Sequence, residues 1–266
     1  RESSARLHCM ANLKKIGDAF HEHEQAFGFL PDAGGRWTEG RALKPDGSPE
    51  TAPKQTWGWA YQILPYFGKQ DVWANPDSNA VAAVVVPIYF CPARRTPVAA
   101  PGSEAGLPAS LRGAIDYAGN GGNTLPMFPA DGDMLVPPAT TDKNGAVVPR
   151  VNVIRIESQH LPRGASSTLL VGDRQANLKT LGSGKDKDER TGYVGAWSWD
   201  TIRWSFASFA PDRSDDADFS REFGSSHPDG VNFLFADGGV RNLAYGMSLD
   251  VFRRMSDRND VGPIPR

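Results

Sequence analysis

The chain has 266 residues, 39% of them hydrophobic and 23% charged, with 29 Lys and Arg against 31 Asp and Glu for a formal net charge of −2. That length admits one large domain or two small ones, and the apolar share is enough for a folded core. The near-balance of charge counts against a nucleic-acid or anionic-membrane binder, which needs a basic footprint, and no apolar run reaches the roughly eighteen residues that span a bilayer.

Residues 3–27 carry the clearest periodicity. Leu7, Met10, Leu13, Ile16, Phe20 and Phe27 recur at three- and four-residue steps, which predicts one apolar face of a long helix, closed by Gly28 and Pro31. Such a helix needs a flat surface to lie on, and a sheet is the expected one. The helical pattern is already running at Arg1, so an addressing or anchoring segment is expected upstream. Residues 32–56 read as loop. The aromatic segment Trp57–Phe67 predicts a short helix broken before Pro65, then a turn reaching Trp73. Residues 79–86 predict another short helix, and Ile88–Cys91 a strand closed by Pro92.

Residues 96–150 are rich in Pro, Gly, Asn and Asp, with one strand candidate at Ile115–Ala118, and read as an elaborated surface layer. Thr168–Gly172 predicts a buried strand and residues 182–190 a polar tip. Val231–Ala236 and Val240–Leu243 flank Asp237-Gly238-Gly239, a hairpin signal in which the glycines accept positive φ. Ser248 is placed to cap a last helix through Met255. A helix first and strands later, with no βαβ alternation, predicts an α+β fold with an antiparallel sheet, here read as one domain over residues 1–266.

Chemical motifs begin and then break. His21-Glu22-His23-Glu24-Gln25 has Gln where a zinc-protease helix needs its second His. Leu181-Gly-Ser-Gly-Lys185 lacks the first glycine and the hydroxyl of a phosphate loop, and no GxSxG elbow occurs. Cys9 and Cys91 stand apart from any CxxC or His/Cys cluster, so two buried thiols and one disulfide both remain open. Asp212, Ser214, Asp216, Asp218 and Ser220 alternate as the oxygen ligands of a calcium loop do, without its sixth-position Gly or twelfth-position Glu. A solvated acidic turn is the competing reading, and calcium through Asp212, Asp216 and Asp218 is the one metal expectation. His227 and Asp237 read first as structural, Asp237 accepting turn N–H groups and His227 bonding loop backbone at the start of the strand.

Several blocks in order then resemble one family. Cys9-Met-Ala-Asn12-Leu-Lys14-Lys-Ile16-Gly17 with Phe27-Gly28 and Leu30-Pro31, Trp57…Leu64-Pro65-Tyr66, Tyr89-Phe-Cys91-Pro92-Ala-Arg94-Arg95, Asp116-Tyr-Ala-Gly-Asn120, Thr168-Leu-Leu-Val-Gly172 and His227-(nine residues)-Asp237-Gly238 are similar to the H-X9-DG prepilin-like proteins. This is a planctomycete-type bacterial domain of unknown function, akin to type IV pilins and type II secretion pseudopilins. Gly239, Asp173 and Phe67-Gly68 depart from its usual residues.

The resemblance implies a type IV pilin-like architecture, with one long N-terminal helix on an antiparallel sheet and large inserted loops. It implies an apolar membrane and assembly segment upstream, export to the cell surface, self-association through the N-terminal helix, and a Cys9–Cys91 disulfide. The expected function is therefore a non-enzymatic structural subunit of filaments or surface layers, with His227, Asp237 and Gly238 as a structural motif. A glycan-binding adhesin using some of the seven tryptophans, and a metal-assisted hydrolase built on His227, are the competing classes.

Overall fold

The computed structural model describes residues 2–124, 144–149 and 160–262. Part of the weakly patterned 96–150 stretch therefore lies outside the described residues. Among the described residues the α-helices are α1 (Glu2–Phe27), α2 (Trp59–Gln62), α3 (Gln70–Ala74), α4 (Ser78–Ala83) and α5 (Leu249–Ser256). The strands are β1 (Ala99–Gly102), β2 (Ser110–Gly113), β3 (Tyr117–Asn120), β4 (Leu169–Asp173), β5 (Ile202–Arg203), β6 (Ala210–Pro211), β7 (Gly224–Ser225), β8 (Gly230–Phe235) and β9 (Val240–Ala244).

The central sheet has the order β5-β3-β4-β8-β9. Its β3–β4, β4–β8 and β8–β9 pairs are antiparallel, and only the edge pair β3–β5 is parallel. The expected α+β class therefore holds, with one mixed edge. The β8–β9 hairpin turns at Gly238, whose φ of +77° is open to glycine at little cost, and Asp237 Oδ1 accepts the Gly239 N–H at 2.9 Å.

Strand alternation distributes side chains between two cores. Val231, Phe233 and Phe235 of β8 face α5 and join Phe209, Phe223 and Phe252, while Leu234 faces α1 and joins Leu13, Ile16 and Tyr117. Helix α1 runs along β8 in the same direction. Arg6 meets Asp229 and His21 Nε2 meets the Ala236 carbonyl. Fifteen helical steps and seven strand steps both span about 23 Å, so the contact persists along the element. Gly17 permits the close approach, since a Cβ there would lie 2.6 Å from Leu234 Cδ1.

Several local expectations are corrected. The buried stripe of α1 is Cys9, Asn12, Leu13, Ile16, Gly17, Ala19, Phe20 and His23, whereas Leu7 is 66% exposed. Counting only large apolar residues rotated the stripe, because Cys, Gly, Asn and His fill the tight seam against the sheet. Ile88–Cys91 is not a strand. Pro87 starts a single 3-10 turn, Pro87–Tyr89, in which the Tyr89 N–H donates to Val86 and Phe90 N–H to Pro87. The 182–190 segment is not simply a polar tip, since Asp188 and Glu189 are buried among arginines. Ser248 precedes α5 without a side-chain cap, its carbonyl accepting the Phe252 N–H instead.

Candidate functional site

The two cysteines come together from α1 and from the chain just after the Pro87–Tyr89 turn, and both are buried free thiols in place of the Cys9–Cys91 disulfide that the resemblance implied. His227, in the loop between β7 and β8, completes a group whose three ligand atoms lie within 4.8 Å of one another. Cys91 Sγ is 3.4 Å from His227 Nε2. Cys9 Sγ shares a hydrogen bond of 3.1 Å with the Tyr117 hydroxyl and lies 3.6 Å from Asp173 Oδ1. On the far side of the imidazole, Nδ1–H donates to Glu2 Oε1 at 2.8 Å. His227 thus bonds a carboxylate and a sulfur, not the loop backbone that its sequence neighbourhood suggests.

The electrostatics divide the two thiols. The hydrogen bond from Cys9 lowers Cys91 to about 5 against the opposing effect of burial, and His227 and Arg94 add to the lowering. Burial pushes Cys9 up, as do its bond to Cys91 and the Asp173 carboxylate. Burial works against the charged form of His227, but the bonds to Cys91 and Glu2 outweigh it and raise the imidazole to about 9. Burial also holds Asp173 well above the ordinary carboxylate range. Chemically this is a thiolate beside an imidazolium, with a protonated thiol and a carboxyl as neighbours.

Next to it lies a second buried polar cluster. Cys91 N–H donates to Asp116 Oδ2 at 3.0 Å, and Asp116 pairs with Arg95 at 2.7 Å. Arg95 also meets Glu189 at 2.6 Å, Arg94 meets Asp212 at 2.8 Å, and Asp188 bridges Arg174 and Arg203. Each guanidinium here is answered by a carboxylate, which makes the cluster architecture.

That pairing corrects the calcium expectation. Asp212 is held by Arg94, accepts the Ala176 N–H at 2.9 Å and receives the Ser226 hydroxyl at 2.6 Å. Asp216 pairs with Lys179 at 2.5 Å, while Asp218 receives the Ser220 N–H and faces Lys187 and Arg221. The three carboxylates neutralise separate cations and do not converge on one point. Asp237 and Gly238 sit at the opposite end of β8 from His227, so the two halves of the spaced motif form no common site.

Sequence marks neither Glu2 nor Tyr117 as a site residue, and marks Asp173 only as a departure from the family pattern. Asp173 lies directly after the expected buried strand, where a charged residue is conspicuous. Glu2 offered no signal, being 225 residues from its partner His227.

A long helix along a five-stranded, mostly antiparallel sheet, with a thiol–imidazole cluster at their common end, defines an α+β protein of helix-on-sheet type. The chain matches the family SBP_bac_10, described as "Protein of unknown function (DUF1559)", over residues 1–249, and it belongs to that family. No curated protein and no solved structure matches it.

Proposed function

We propose that this chain is the head of a pilin-like structural subunit, exported to the cell surface and self-associating through its N-terminal helix. The observation that carries the reading is the two-sidedness of α1. One face is buried against β8 and β9, while Leu7 stands 66% exposed, and Met10, Ala11 and Lys14 border a shallow groove with Asp237–Val240. An apolar side chain held out on a rigid helix is suited to pack against a second copy. The glycan-binding alternative has less support, because Trp57, Trp59, Trp197, Trp199 and Trp204 are buried and Trp37 and Trp73 are only partly exposed.

The test uses the full-length gene product in its own cells. Surface shearing with antibody-labelled electron microscopy is expected to find the protein in filaments or a surface layer. Leu7→Glu is expected to reduce the assembled fraction while leaving the melting temperature of the head unchanged. A protein confined to the cytoplasm, or assembly indifferent to Leu7→Glu, overturns the reading.

A further inference from the structure

We propose that Cys9 Sγ, Cys91 Sγ and His227 Nε2 form a zinc-binding site, with Glu2 as the carboxylate that orients the imidazole. The ligand set is two sulfurs and one nitrogen, a combination that selects a thiophilic, borderline-soft divalent cation over calcium or magnesium. The spacing suits one ion. Donors about 2.0–2.3 Å from a tetrahedral zinc stand roughly 3.5 Å apart, and Cys91 Sγ to His227 Nε2 is 3.4 Å. All three donor atoms fall within 4.8 Å of one another, so small side-chain adjustments close the site.

Glu2 supplies the most specific argument. Its carboxylate accepts the hydrogen bond from His227 Nδ1–H at 2.8 Å, which leaves Nε2 as the atom aimed at the sulfurs. A carboxylate behind a ligating histidine fixes the ring and raises its basicity, the usual second layer around a histidine ligand. A disulfide accounts for two sulfurs but gives the imidazole no task.

Charge and position agree with the assignment. Two thiolates and one divalent cation sum to zero in a buried place where an uncompensated charge is costly. Asp173 Oδ1, 3.6 Å from Cys9 Sγ, stands beside the three donors, where it can hold a water in the fourth position. The donors come from α1, from the segment after Pro87–Tyr89 and from the loop leading into β8, the last two 136 residues apart. An ion there clips the helix to the sheet and adds its binding free energy to folding.

The chain is purified anaerobically under reductant, loaded with zinc and freed of excess ion. Metal analysis is expected to find one zinc per chain, with both thiols protected from alkylation and a raised melting temperature. Cobalt in its place should give thiolate-to-metal charge-transfer absorption. His227→Ala should lose stoichiometric zinc. Because that variant removes a buried side chain, Glu2→Gln serves as the second probe, expected to fold normally and to bind zinc about 10–100-fold more weakly. Three results overturn the site: thiols that stay fully reactive at saturating zinc, zinc affinity unchanged in both variants, or a chain isolated from its own cells with Cys9 and Cys91 joined as a disulfide.

Discussion

The two buried polar clusters that meet at Cys91 differ in how their charge is answered. In one, Arg94, Arg95, Arg174 and Arg203 face Asp116, Asp188, Glu189 and Asp212, and cation and anion are matched within the fold. In the other, two sulfurs and an imidazole nitrogen converge with a carboxyl at their side. The cysteines, the imidazole and the paired side chains of both clusters are buried. Burial of charge alone therefore does not mark a functional site, whereas convergence of donor atoms that suit one ion does.

Substituting one aspartate in each cluster sharpens that contrast. Asp188→Asn leaves Arg174 and Arg203 buried with a weakened partner, and urea unfolding is expected to register a loss of about 3–5 kcal/mol. Asp173 accepts the Asn232 N–H at 3.1 Å, which an amide oxygen can also do, so Asp173→Asn is expected to cost about 1 kcal/mol. Equal losses at the two positions would erase the distinction between the clusters.

His23 tests what burial does with no charged partner at all. It packs among Phe27, Phe29 and Tyr66, and burial lowers it to about 4 although the bond to the Phe29 carbonyl opposes this. The folded value lies below the unfolded one near 6.5, so the unfolded chain binds the extra proton in between. Stability from this residue is complete above pH 6.5 and is lost as pH falls toward 4, by about 2–3 kcal/mol. His23→Phe should flatten that part of the pH profile of the urea midpoint. An unchanged slope would assign the acid sensitivity to other groups.

The smallest effect is expected at the acidic turn. With Asp212 bound to Arg94 and Asp216 to Lys179, melting curves in millimolar calcium and in chelator should superimpose. A calcium-dependent rise that disappears in the double variant Asp216→Ala, Asp218→Ala would mean that these carboxylates can leave their cations and gather round an ion.

Local pattern was sufficient for α1, for the β8–β9 hairpin and for α5. A 3.6-residue repeat ended by Gly28, and two apolar runs around Asp-Gly-Gly, specify conformation through neighbours a few residues away. The same pattern failed at Ile88–Cys91, because an apolar run of four residues suits a buried turn as well as a strand, and Pro87 favoured the turn. Composition and block order also placed the chain in its family. The rotation of α1 about its axis was decided by the fit of small and polar residues against Leu234 and Tyr117, which no count of apolar side chains contains. The meeting of Cys9, Cys91 and His227, and the diversion of Asp212 to Arg94, belong to tertiary structure alone. Cys91 and His227 lie 136 positions apart and Arg94 and Asp212 118, and only the stacking of helix, turn and strand brings those atoms within bonding distance.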